Sequence, residues 1–408
     1  MARRCSFCGQ DDRTGERLVV AHGGAAICGD CARLAVELSS DRDDLMSGDL
    51  LLTGIGRLVT NDPRHGGLLG VIEGAAVALR HGKVTWLGRQ RSLPDRYRDL
   101  PEIDCEDRMV APGFVDTHRH LSPPSDAAAS VELGPMTDLV ALHLGATLEQ
   151  GATTVEIRTW GAPGPEAEVT MLSAIRAAGE TLPSDVIPSV VAGTEVPFRG
   201  RGYLHMLETV LVPTASRIAR YLDVVVGASL DGAAAVSLLE VGRGHGMRLR
   251  VHVEGDDALE AALRCRAVTV DGFWGMEEAA GTVADSGMAV VCLPGVSWIT
   301  GRPDPARSMW DAGVTVALGT GCADGSVPTI PMAMAAAVHH GGLGAGEALW
   351  AATRGGALAV EEPDKGIIAP GSVADLIVLE GVAPSDVVGE PGRDPVVRVI
   401  KDGALLGT

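Results

Sequence analysis

Two histidines one residue apart, His118 and His120, close an apolar run that begins at Val110 and reads V-A-P-G-F-V-D-T. Side chains along a strand alternate between its faces, so Asp116, His118 and His120 project to one side. Neutral imidazoles at this spacing chelate zinc or iron through their nitrogen lone pairs. The plain alternative is a pair of surface histidines, and the apolar strand leading into them argues against it.

A second constellation lies at the start of the chain. Cys5 and Cys8, then Cys28 and Cys31, form two C-x-x-C pairs with nineteen residues between them. Each such turn aims two thiolates at one tetrahedral ion, and a reducing compartment favours a metal over disulfides. Residues 1–45 are too few to hold a core by burial alone, so a structural zinc supplies the staple. His22 lies between the pairs as a bystander to four thiolates, and Ala32 to Leu38 is helical in composition. Cys105, Cys265, Cys292 and Cys322 are scattered. Cys322 reads as a soft ligand or nucleophile or, more simply, as a small core residue.

The elements that would position the histidine pair follow from periodicity. After a polar, acid-rich linker at Ser39 to Gly48, short strands are expected at Leu50 to Thr60, Gly74 to Arg80 and Lys83 to Gly88. The C-terminus answers with Val373 to Leu379 and Val396 to Lys401. Strands at both flanks imply one small β-sandwich assembled from residues 49–108 and 366–408. Between them, 109–365 alternates apolar strands with Ala-rich helices. The strands are Val110 to Leu121, Thr153 to Thr159, Asp185 to Ala192, Leu222 to Gly227, Leu249 to Glu254, Ala267 to Val270, Met288 to Leu293 and Val314 to Thr320. Eight strands with intervening helices predict an α/β chain built on a (β/α)8 TIM-type barrel, with its chemistry at the carboxyl ends of the strands. The rival open sheet lacks a G-x-G-x-x-G after the first strand.

Composition narrows the function. The 408 residues are 46% hydrophobic and 21% charged, as in a soluble enzyme-sized protein, and the net charge of −19 disfavours nucleic acid and anionic membrane as partners. No run of eighteen apolar residues occurs, and M-A-R-R-C-S-F-C lacks the apolar core of a signal peptide, so the expected location is cytoplasmic. Neither G-x-x-x-x-G-K-[ST] nor G-x-S-x-G is present, which leaves phosphate cradling and serine hydrolysis without support.

The first segment, C-S-F-C-G-Q followed by I-C-G-D-C-A-R-L-A, resembles the zinc-binding domain at the N-terminus of the ClpX unfoldase. That resemblance implies self-association or docking of a protein partner. From about Leu50 to Gly403 the chain resembles the amidohydrolase superfamily and, within it, the imidazolonepropionase branch. The resemblance is carried by A-P-G-F-V-D-T-H-R-H, G-A-T-T-V-E-I-R, L-R-V-H-V-E, L-P-G at Leu293 to Gly295, D-A-G-V-T-V-A-L-G-T and G-S-V-A-D-L-I-V-L. It implies that His118, His120 and His252 are metal ligands, with zinc or ferrous iron as the ion.

Other family positions differ. The ligand aspartate of the eighth strand is replaced by Gly321, the histidine ending the sixth by Gly272, and a histidine of the third-strand loop by Thr194. The fifth-strand glutamate falls at Gly255, leaving Glu254, on the same face as His252, as the candidate base, or Asp324 reaching back from its loop. Arg158, where the branch has a lysine, fits either a bidentate grip on a substrate carboxylate or a salt bridge within the barrel mouth. His339 and His340 fall on a late Ala-rich helix, as solvent-facing or packed residues. The expectation is a metal-dependent hydrolase of a non-peptide C–N bond in a small cyclic substrate. The alternative is a catalytically silent amidohydrolase-fold scaffold or ligand-binding protein whose function lies in the zinc finger.

Overall fold

The computed structural model describes residues 18–20, 26–28, 48–120, 132–159, 164–194, 201–227, 229–253, 256–272, 274, 277–321 and 329–406. Strands β1 (Leu18–Val20) and β2 (Ala26–Cys28) form an antiparallel hairpin that sets Leu18 opposite Cys28. Cys5, Cys8 and Cys31, the side chain of Cys28, and the expected helix at Ala32 to Leu38 lie outside the described residues.

Strands β3 (Leu50–Leu58), β4 (Ile72–Arg80), β5 (Lys83–Arg89), β6 (Glu102–Asp104) and β7 (Met109–Pro112) come next. The barrel strands are β8 (Phe114–His120), β9 (Ala152–Arg158), β10 (Asp185–Ala192), β11 (Tyr221–Val226), β12 (Arg248–Val253), β13 (Thr269–Asp271), β14 (Ala289–Cys292) and β15 (Val316–Leu318). Strands β16 (Leu376–Leu379), β17 (Val396–Lys401) and β18 (Ala404–Leu405) end the chain.

The flanks form one sheet in the order β18-β17-β16-β7-β3-β4-β5, with β6 beside β3. The end strand β5 curves back toward the start of β16, Lys83 bridging Val373, so a single curved sheet encloses a core of Leu50, Leu52, Val77, Leu79, Leu376, Val378 and Ile400. Strand alternation sends Leu51 and Ala78 to the opposite face, against Leu93 and Tyr97.

Strands β8 to β15 pair consecutively and in parallel. Outward residues such as Val155, Ile157, Val190, Val224, Val251 and Val290 join the helices in one large apolar core. No ladder joins β15 to β8 among the described residues. The seam is closed instead by Thr117 Oγ1 donating to the Leu318 carbonyl (2.8 Å) and Gly321 N donating to the His118 carbonyl (2.7 Å). Asp116, expected beside the histidines, accepts from Thr320 N (3.1 Å) and Thr320 Oγ1 (2.8 Å). Gly319 permits this approach, since a Cβ there would lie 2.6 Å from that of His118.

One expectation needs correction. Val110 to Leu121 is not a single strand, because its partners change within one peptide. Gly113 N donates to the Asp375 carbonyl on the sheet side and Phe114 N to the Gly151 carbonyl on the barrel side (both 2.9 Å). Pro112, which has no N–H to offer a ladder, marks the change.

Candidate metal centre

Strand β8 delivers His118 and His120 to the carboxyl end of the barrel, both buried, with their Nε2 atoms 3.0 Å apart. His118 Nδ1 is 2.8 Å from Asp271 Oδ2, and His120 Nδ1 is 3.1 Å from the Thr159 carbonyl oxygen. Both partners only accept, so each Nδ1 carries the proton and both Nε2 lone pairs face one another. Two such lone pairs at 3.0 Å repel unless a cation lies against them.

Zinc–nitrogen bonds of about 2.0–2.1 Å at tetrahedral angles put two ligand nitrogens about 3.3 Å apart, close to the spacing of the pair. Burial, followed by the charge of Arg158, pulls the His118 pKa down to about 3 against the upward pull of Asp271. Burial and His118 likewise hold His120 well below the ordinary imidazole value. Both rings are therefore neutral at pH 7, the form that ligates metal.

His252, on β12, is the third member. Its ring centroid lies 5.7 Å from that of His118 and 5.6 Å from that of Trp274. A Cβ on Gly272 would sit 2.4 Å from His252 Nε2, so the glycine makes room for this ring. Among the described residues, no three His, Cys, Asp or Glu side chains already surround one point at ligand distance. The His118–His120 pair does so, and His252 stands next to it. The donor set thus suits a divalent ion, with the pair preformed.

Arg158 is placed differently from the expected grip on a substrate carboxylate. Its side chain is wholly buried, facing Asp271 Oδ2 (2.6 Å), Asp223 Oδ2 (2.6 Å) and Glu156 Oε1 (3.1 Å), and it donates to the Thr117 carbonyl (3.2 Å). The guanidinium is committed inside the barrel, the salt-bridge alternative. Burial pushes Asp271 upward, but Arg158 and His118 override it and hold the carboxyl well below the usual range.

Gly321 has φ +68, and a Cβ there would meet Val296 at 3.0 Å and Leu293 at 3.3 Å, so apolar side chains fill the place expected of a carboxylate. Glu254, Gly255, Cys322 and Asp324 lie outside the described residues. Thr194 is described at the mouth end of β10, after Gly193. His339 Nε2 meets the Val388 carbonyl (3.2 Å) and His340 Nε2 the Arg302 carbonyl (3.1 Å), away from the centre.

Sequence reasoning passed over Asp271, Glu156, Asp223 and Arg250. A signal was present: charged residues at alternate positions of otherwise apolar strands, as in V-E-I-R and R-L-R-V-H, must share the inner face of a barrel.

Comparison with known proteins agrees with this architecture. The profile of the amidohydrolase family matches residues 223–406, and that of the ClpX C4-type zinc finger matches residues 3–41. An imidazolonepropionase from Nocardia farcinica (strain IFM 10152) is 32% identical over 392 residues, spanning 87% of this chain and 97% of that protein. A triazine hydrolase variant superposes with a TM-score of 0.72 at 18% identity, over 88% of this chain and 94% of the other. An atrazine chlorohydrolase from Arthrobacter aurescens TC1, complexed with zinc and atraton, gives 0.71 at 19% identity, over 88% and 95%. Those two likenesses speak to the fold, and the extended identity to imidazolonepropionase speaks to descent. The chain belongs to the amidohydrolase family, hydrolases of carbon–nitrogen bonds.

Proposed function

We propose that the chain is a metal-dependent hydrolase that opens a non-peptide C–N bond of a small cyclic substrate, with His118, His120 and His252 holding zinc or ferrous iron. The observation that carries this reading is the pair of facing Nε2 atoms at 3.0 Å, each with its proton fixed on the far nitrogen. The imidazolonepropionase relatives support a cyclic amide or related ring, and the zinc in a fold neighbour supports zinc. A divalent cation in such a site supplies Lewis acidity and a water whose pKa falls to about 7. The residues of the chain hold and orient it. Glu254, next in sequence after β12, or Asp324, six residues on from β15, moves the proton. Cys5, Cys8, Cys28 and Cys31 hold a structural zinc, and this finger recruits a protein partner or pairs two copies of the chain.

Metal counting combined with hydrolysis assays on a panel of cyclic amides tests this reading. Two ions per chain are expected, one lost in His118→Ala with His120→Ala and the other in Cys5→Ser with Cys8→Ser. The histidine variant should lose activity by on the order of a thousand-fold, the several kcal/mol that a Lewis acid contributes. A second reading, a catalytically silent scaffold, is favoured by one observation: Leu293 and Val296 occupy the space over Gly321. One ion per chain, removed only by the cysteine substitutions, with no ring opened, would select it.

A further inference from the structure

The geometry points to Asp271 as the positioning residue that sets the metal affinity of His118, with Arg158 holding Asp271 in place. The inference rests on the metal reading of His118 above. Asp271 is wholly buried at the end of β13, with its carboxylate turned to His118 and Arg158. Its Oδ2 accepts from His118 Nδ1 (2.8 Å) and faces Arg158 Nη2 (2.6 Å), while its Oδ1 accepts from Thr269 Oγ1 (2.8 Å). With both oxygens engaged, the carboxylate is fixed in rotation.

Arg158 closes the circuit. The nitrogen that meets Asp271 also donates to the carbonyl of Thr117, the residue preceding His118 on β8, and Nη1 meets Asp223 on β11. The ring of His118 is thus referenced to β8, β9, β11 and β13 at once. A carboxylate behind a ligand imidazole fixes its tautomer and raises its basicity, and loss of such a partner typically costs 10–100-fold in metal affinity. This matters more here than where a strand supplies a carboxylate ligand of its own, because Gly321 has no side chain to donate. Asp271 delivers anionic charge to the site through His118 instead of by direct ligation. The planar fork of Arg158 suits the task, since it meets several carboxylates in fixed directions where an ammonium acts as a point charge.

The test is chelator competition for cobalt(II) on the full-length protein with its finger loaded with zinc, followed by thermal melting of the barrel-apo form. Asp271→Asn keeps the shape of the side chain and removes its charge. Its barrel cobalt affinity should fall 10–100-fold, with activity recovered as free metal is raised. A carboxylate with a merely structural role would lower the melting temperature of the apo form and leave the dissociation constant unchanged. Should Asp271→Asn not fold, Arg158→Lys decides: it keeps the charge, loses the fork, and should weaken cobalt binding by roughly ten-fold, at the lower edge of the same range. A wild-type barrel that takes no cobalt overturns the metal reading together with this inference. A wild-type barrel that binds cobalt, with folded Asp271→Asn or Arg158→Lys binding it equally tightly, overturns the inference alone.

Discussion

Two buried ionic clusters lie at opposite ends of the barrel strands, and they are built differently. Beneath the histidines, Arg158 and Arg250 meet Glu156, Asp223 and Asp271, all of them buried. At the amino end, Lys365 reaches Asp185 (2.5 Å) and Asp375 (2.8 Å), and Lys401 reaches Asp185 (2.9 Å) and Asp375 (3.1 Å). Asp185 opens the barrel strand β10, while Lys401 ends β17 of the small sheet and Asp375 directly precedes β16, so this clamp joins the two. Guanidinium forks suit a place where direction matters, because each bond fixes an angle; ammonium groups suit one where only attraction is needed. The carboxyl end of a barrel is where chemistry gathers, and its amino end is where stability is held. The difference shows which buried charges to change for activity and which for stability.

The largest effect should come from the clamp. Lys401→Met leaves Asp375 with one cation and should cost about 3 kcal/mol, the low end for breaking a buried pair. Denaturant unfolding would measure this loss. Barrel metal content at 25 °C should stay at the wild-type level, and loss of that ion would erase the distinction between the two clusters. At the mouth, Gly321→Asp, which restores the carboxylate of the family, should not raise activity. It forces a side chain onto φ +68 beside Val296 and Leu293, at a cost of about 1–2 kcal/mol for the left-handed backbone. A gain in hydrolysis rate would mean that the apolar packing there yields to a ligand.

The smallest effect concerns pH. Burial raises the Asp185 pKa, but Lys365 and Lys401 override it and hold the carboxyl below its ordinary value. Its contribution is therefore present above about pH 4 and lost as pH falls through the folded-state pKa. The two lysines, raised by Asp375 and Asp185 against burial, lose theirs only as pH climbs past about 10.4. Asp185→Asn should lower the neutral plateau of a melting-temperature profile by a degree or so and leave its acid end in place, so that the acid limb flattens, and an unchanged limb would remove Asp185 from the clamp.

Much of this was legible from the chain. The eight barrel strands emerge from apolar periodicity within a few residues of their observed ends, and Asp185 to Ala192 and Val396 to Lys401 match outright. The His118–His120 pair is a local pattern, and so it reads directly. What stayed hidden depends on contacts distant in sequence. Asp271 looks like a turn residue before Gly272 until β13 is set across the barrel, four strands away from β9 and its Arg158. The inward commitment of Arg158 was one of two readings, because sequence alone does not say which carboxylates lie within its reach. The short β6 escaped because E-I-D offers one apolar residue, and β18 because two residues carry no measurable period.

The change of partners at Pro112 and Gly113 has a practical corollary. The peptide that ends the last contribution of the first flank to the sheet also begins the strand bearing both histidines, and β7 is held by β16 from the far terminus. Removing residues 366–408 to obtain a minimal enzyme would strip that support and loosen the anchorage of the metal-facing pair. The barrel cannot be excised from its companion sheet without disturbing the strand on which its chemistry depends.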